Sequence, residues 1–224
     1  MKPALLALVC ALAFLQTPAL AQSPPSAQEA AAYAGLHKAA LDGDAAAAAA
    51  LIASGAEINA RDGNGRTPFH VAAFAGKTDV MARLASAGAD VNALDADLYD
   101  AVTIAAVADD VPTLKAALAA GNKATNITSI YVGTALIAAA HLGHDEVVRM
   151  LIEAGAPLDH VNNLGWTALI EAVVLGDGGP RHQATVEALA EAGADKNIAD
   201  RNGNTPLGLA KERGYHELEV LLRK

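Results

Sequence analysis

Apolar and polar positions along residues 34–224 recur in blocks. Each block opens with a short alanine-rich apolar segment and breaks at a turn. It resumes with a second apolar segment spaced i, i+3, i+4, as in "DEVVRMLIEAG", and closes on a glycine with a small residue after it. The closing glycines are Gly55, Gly88, Gly121, Gly155 and Gly193, at steps of 33, 33, 34 and 38 residues. Counting back from each, the blocks start at Ala34, Thr67, Asp100, Thr134, Thr167 and Thr205, at steps of 33, 33, 34, 33 and 38. The two markers agree. One residue is added before Thr134 and five inside the fifth block. A fixed period of this length marks a stack of repeated units.

Each block reads as two antiparallel helices. Thr67 and Thr205 are N-caps, followed by Pro68 and Pro206 at the first helical position, where a missing N–H costs nothing. Asp100 caps equally well. Gly76, Gly143, Gly176 and Gly214 end the first helix of their blocks, and a glycine again ends the second. Ala72-Ala73, Ala105-Ala106 and Ala138-Ala139 fall at matching positions, where neighbouring helices press together.

Taken together, "DGNGRTPFHVAAFAGKTDVMARLASAGADVNA" (62–93), "GHDEVVRMLIEAGA" and "DRNGNTPLGLAKERGYHELEVLL" resemble the ankyrin repeat. The resemblance covers six units and nearly all of residues 33–224. It implies an all-α ankyrin-repeat solenoid of about six helix–turn–helix units, with a β-hairpin finger projecting at each junction. It also implies a concave face lined by fingers and first helices, and it assigns His37 and His70 to hydrogen bonds between units. Terminal units of such a stack need a polar outer side, and Glu217, Glu219, Arg223 and Lys224 are placed for this in the last one.

The N-terminal residues follow a different pattern. Lys2 precedes an uncharged apolar run, Ala4 to Leu15, which is too short to span a bilayer, and Ala19-Leu20-Ala21 is a cleavage signature. Residues 1–21 are therefore expected to be a secretory signal peptide, cut after Ala21. Residues 22–32, with Ser23-Pro24-Pro25-Ser26, are expected to be a disordered leader. Cleavage removes Cys10, the sole cysteine, and Lys2 but no acid, taking the net charge from −9 to −10. A chain without thiols suits an oxidising compartment. The acidic balance argues against nucleic acid and anionic membrane surfaces as partners.

Within this family pattern, departures carry the functional information. The finger position just before each start reads Tyr33, Arg66, Tyr99, Gly133, Trp166 and Asn204, with Tyr131 two residues before Gly133. Three of the four tyrosines and the only tryptophan thus fall at or beside fingers, and such rings anchor protein interfaces. Adding the finger residue Leu164 and the first-helix residues Phe74 and His141 gives the candidate partner-binding set. Val107, Val174 and Leu175 read as the floor of the same groove or as core. Leu98 and Val132 replace the finger glycine kept as Gly65, Gly165 and Gly203, and Asp109-Asp110 replaces the glycine between helices. Altered turns are expected there, because bulky residues resist positive φ.

No cofactor or metal is expected. The insertion Asp177-Gly178-Gly179-Pro180-Arg181-His182 lacks a phosphate-loop lysine and reads as a mobile surface loop. The off-pattern histidines His141, His160 and His182 match no metal-ligand spacing. Glu171 stands where a first helix usually has an apolar residue and reads as a satisfied carboxylate. No nucleophile elbow, dinucleotide fingerprint or carboxylate pair is present. Resemblance to short exported bacterial ankyrin-repeat proteins places the chain in the periplasm, as a non-enzymatic monomer without stable membrane insertion that binds a protein partner. Two alternatives stay open: an inhibitor or immunity factor of an exported enzyme, and a small-ligand or metal protein.

Overall fold

The structure is a computed structural model and describes residues 22–224. The expected signal peptide, its cleavage signature and Cys10 lie outside the described residues. A short helix, α1 (Ala27–Ala32), precedes six pairs: α2 (Gly35–Asp42) and α3 (Ala45–Ala53), α4 (Pro68–Phe74) and α5 (Thr78–Ser86), α6 (Ala101–Val107) and α7 (Val111–Ala119). The remaining pairs are α8 (Ala135–Leu142) and α9 (Asp145–Glu153), α10 (Ala168–Val174) and α11 (Pro180–Glu191), α12 (Pro206–Arg213) and α13 (His216–Arg223). The N-caps of the six first helices are Ala34, Thr67, Asp100, Thr134, Thr167 and Thr205, the six starts read from the repeat.

First helices pack on first helices and second helices on second helices, giving two layers along one axis. The small residues explain the close approach: Ala72, Ala105, Ala139, Ala140 and Ala172 are fully or almost fully buried. Leu136, Leu151, Leu169 and Leu189 are also fully buried, each contributing roughly 1.5–3 kcal/mol of apolar burial. The histidines of the pattern cross the junctions. His37 Nε2 donates to Arg66 O at 3.0 Å, and His70 Nε2 donates to Tyr99 O at 3.1 Å.

Three expectations are corrected. The leader is helical over Ala27–Ala32, because Ser26 and Glu29 form a reciprocal capping box. The fingers are tight turns without strands; among the described residues the one pairing is the isolated bridge Thr128–Gly133. The insertion is tied down, and it lengthens α11 to 12 residues. His182 Nε2 donates to His141 O at 3.0 Å, the Tyr215 hydroxyl donates to Gly176 O at 3.0 Å, and Arg181 reaches Asp109 Oδ2 at 2.7 Å.

Candidate binding face

The fingers share one local design. In the second, Gly65 N donates to Asp62 O at 3.0 Å, while Asp62 Oδ1 accepts from Asn64 N and Arg66 N. Asp95, Asn162 and Asp200 cap the third, fifth and sixth in the same way. In the lengthened fourth finger Ser129 takes this place, its hydroxyl accepting from Tyr131 N alone. These side chains mimic a backbone turn, which is why Asp and Asn recur there.

The turn demands a left-handed residue at its fourth position. Gly65, Gly165 and Gly203 supply it at φ 71, 86 and 82. Leu98 and Val132 supply it as well, at φ 65 and 55. The expected change of turn is therefore absent in the third finger but present in the fourth, where Ser129 is also left-handed at φ 65 and the closing pair moves out to Thr128–Gly133. Leu98 N still donates to Asp95 O, and Val132 N to Ser129 O, both at 3.1 Å. Asp109 likewise holds φ 56 in the inter-helix turn. A non-glycine residue there costs about 1–2 kcal/mol, and surrounding bonds must hold it in place. They do: Ser129 N donates to Leu98 O at 2.8 Å, His160 Nε2 donates to Val132 O at 2.7 Å, and Asn163 N donates to Tyr131 O at 2.9 Å.

The side chains that incur this strain face water. Leu98 is 43% exposed, Val132 48%, Ile130 50% and Leu164 40%, with Ile127 and Val161 also exposed. Sequence reasoning did not single out Ile130. Its signal was the apolar run Ile130-Tyr131-Val132 in the middle of a turn.

The anchors chosen from the sequence divide. Leu164 is exposed; Tyr131, Trp166, Phe74 and His141 are half-buried, with Trp166 and Phe74 packed against the core. Arg66 and Tyr99 are buried and are not available as surface contacts. Arg66 is 3% exposed because its guanidinium is used internally: Nε donates to Asp62 Oδ2 at 2.8 Å and Nη2 to Glu29 Oε1 at 2.5 Å. Tyr33 serves that network, its hydroxyl donating to Asp62 Oδ2 at 2.6 Å. Burial alone would raise the Asp62 pKa, but the Tyr33 and Arg66 donors hold it below the ordinary value.

Glu171 is not the satisfied carboxylate expected. It is 4% exposed, and burial pushes its pKa up to about 7 against the lowering effect of Asn162, whose Nδ2 donates to Oε1 at 2.9 Å. Its Oε2 is buried without a hydrogen-bond partner among the described residues, 3.5 Å from His141 Nδ1. Burial also lowers the pKa of His141, with a smaller contribution from His182. The described residues contain no group of three or more His, Cys, Asp or Glu side chains placed to hold a metal, and no helix long and apolar enough to cross a membrane.

Family models described as ankyrin repeats match residues 36–84 and 102–200. An ankyrin repeat domain (ABAYE2397) from Acinetobacter baumannii AYE is 43% identical, with a TM-score of 0.79 over 84% of this chain and 95% of that one. This chain belongs to the ankyrin-repeat family. The solved ankyrin repeat protein EF0377 is 31% identical, also with a TM-score of 0.79, over 85% of this chain and 96% of that one. The ankyrin repeat protein YahD of Escherichia coli (strain K12) is 39% identical over 115 residues, which are 51% of this chain and 57% of YahD. The match therefore spans little more than half of that curated relative. Ankyrin repeats are protein-interaction scaffolds, so the exposed finger face is where contact with a protein is to be sought.

Proposed function

We propose that this protein is an exported, non-enzymatic binding module that acts in the periplasm and recognises another protein through its third to fifth fingers and the adjoining first helices. The observation that carries the reading is the exposure of large aliphatic side chains on those fingers, where an exposed apolar patch marks an interaction surface. Export rests on the cleavage signature at Ala19–Ala21.

The test is affinity capture by the full chain, tagged at its C-terminus, from an extract of its own cells. It is compared with a Tyr131→Ala/Leu164→Ala/Trp166→Ala variant whose circular dichroism matches wild type. A protein retained by wild type and lost by the variant is expected. Equal retention by both contradicts the face, and no retained protein contradicts the binding role. For export, the osmotic-shock fraction should contain a chain starting at Gln22. An uncut chain confined to the cytosol contradicts export.

A further inference from the structure

The sequence contains two asparagine–glycine steps, Asn64-Gly65 and Asn202-Gly203, and both occupy the same place in a finger. Such a step is chemically labile. Glycine presents its backbone nitrogen with no side chain to hinder attack on the asparagine before it. We propose that Asn202 is a site of spontaneous deamidation and isoaspartate formation, and that the stack protects Asn64 from the same reaction.

The two turns begin alike. Gly65 N donates to Asp62 O and Gly203 N to Asp200 O, both at 3.0 Å, with left-handed glycines at φ 71 and 82. Asn64 N and Asn202 N each donate to the capping aspartate at 2.9 Å. Both asparagines are exposed, so access of water does not separate them. In each case the glycine nitrogen must leave its hydrogen bond before it can attack, so the reaction waits on opening of the turn.

What holds each turn shut from outside is different. Asn64 O accepts from Ala96 N, in the third finger, at 2.9 Å. Asn64 Nδ2 donates to Glu29 on α1, and Gly65 O accepts from Arg61 Nη1 at 2.6 Å. The sixth finger has no finger after it. The backbone N–H and the side chain of Asn202 both turn to Asp200, inside their own turn. A Cβ on Gly203 would meet nothing within 4 Å, whereas one on Gly65 would meet Ala96 N at 3.0 Å. The tie from this finger to the fifth is Arg201, whose Nη2 donates to Asn163 O and leaves the Asn202-Gly203 step itself unheld. Opening the sixth turn breaks fewer bonds, so it opens more often.

Once the turn is open, Gly203 N gives up its proton and bonds to Asn202 Cγ. The Cγ–Nδ2 bond breaks, and Nδ2 leaves with one proton as ammonia. The succinimide then takes up one water. Opening at one carbonyl gives aspartate, and at the other isoaspartate, in which the chain runs through the former side chain. Either product adds a carboxylate beside Asp200. Isoaspartate also inserts one carbon into the backbone, so Asp200 Oδ1 can no longer cap Asn202 N and Asn204 N together. The damage falls on a terminal unit with a single neighbour, where the array loosens most readily.

The test incubates the full chain at mildly alkaline pH, folded in one sample and unfolded in guanidinium chloride in another. Peptide mass spectrometry follows both asparagine–glycine peptides, and enzymatic methylation of isoaspartate gives a second readout. Unfolded, the two sites should convert at similar rates. Folded, Asn202 should convert at least several-fold faster than Asn64, mainly to isoaspartate, and faster as pH rises. An Asn202→Gln chain should accumulate almost no isoaspartate. Amide exchange of the aged wild-type chain should show lost protection at residues 200–204 and along α13, while the Asn202→Gln chain aged alongside keeps it. Equal folded-state rates at the two sites, faster conversion of Asn64, or no conversion of Asn202 while the unfolded chain reacts would overturn the assignment. Unchanged protection at 200–204 in the aged, converted chain would overturn its consequence for the sixth unit.

Discussion

In the second finger the left-handed turn is made by Gly65, and the residue closing it, Arg66, is buried against Asp62 and Glu29. In the fourth, the turn is made by Val132, the cap is a serine hydroxyl accepting one bond instead of two, and Ile130 and Val132 face water. The two turns share the left-handed fourth position but differ around it, since Ser129 is also left-handed at φ 65 and the fourth finger closes through Thr128–Gly133. The first places glycine at the left-handed position and pairs the charges of Arg66, Asp62 and Glu29. The second tolerates strain and exposes apolar surface. On the proposed function, stability and recognition fall to different units of one stack, which a solenoid permits because each unit contacts only its neighbours.

The largest expected effect lies on the stabilising side of that comparison. Arg66→Ala leaves Asp62 and its Tyr33 partner without their cation. It should lower the stability of the N-terminal units by about 3–5 kcal/mol, read as a shift in the urea midpoint. A loss below about 1 kcal/mol would mean that the second finger does not depend on its ion pairs.

Next comes the buried charge that is not satisfied. Because the folded-state pKa of Glu171 is raised to about 7, the folded chain binds more protons than the unfolded one between roughly pH 4.5 and 7. Stability therefore falls as pH rises through that window. Glu171→Gln removes the penalty. The variant should be more stable than wild type by roughly 1–3 kcal/mol at pH 8, with the gain vanishing by about pH 4.5. A gain that does not depend on pH contradicts the assignment. Protonation of His141, 3.5 Å away, is disfavoured by burial and acts in the opposite direction below its ordinary pKa.

The smallest effect is at the strained turns. Val132→Gly should change stability by about 1 kcal/mol or less, in the stabilising direction, because relief of strain offsets the lost partial burial. The matching change in the second finger, Gly65→Val, should destabilise, since a Cβ there approaches Ala96 N to 3.0 Å in a left-handed backbone. Equal costs for the two substitutions would erase the distinction between the fingers.

The repeat made the fold legible. Caps and closing glycines placed all six first helices, because their backbone requirements limit which residues can stand there. The binding face was less legible, since burial is not local. Arg66 and Tyr99 stand in the same column as Trp166, yet an acidic partner beneath Arg66 and the packing of the third finger turn both inward. The turn at Leu98 misled for a related reason. A residue's preference predicts a changed backbone, but hydrogen bonds from neighbouring fingers outweigh it. Ser26-Ala27-Gln28-Glu29 carried a capping box within a segment whose prolines and serines signalled disorder.

The most direct test of the division between stabilising and recognising fingers is amide hydrogen exchange on the full chain, with and without the protein it captures. Added protection should fall on residues 95–99, 128–133 and 162–166, leaving 62–66 and 200–204 unchanged. Protection centred on the second or sixth finger instead, or spread evenly along the stack, would contradict it.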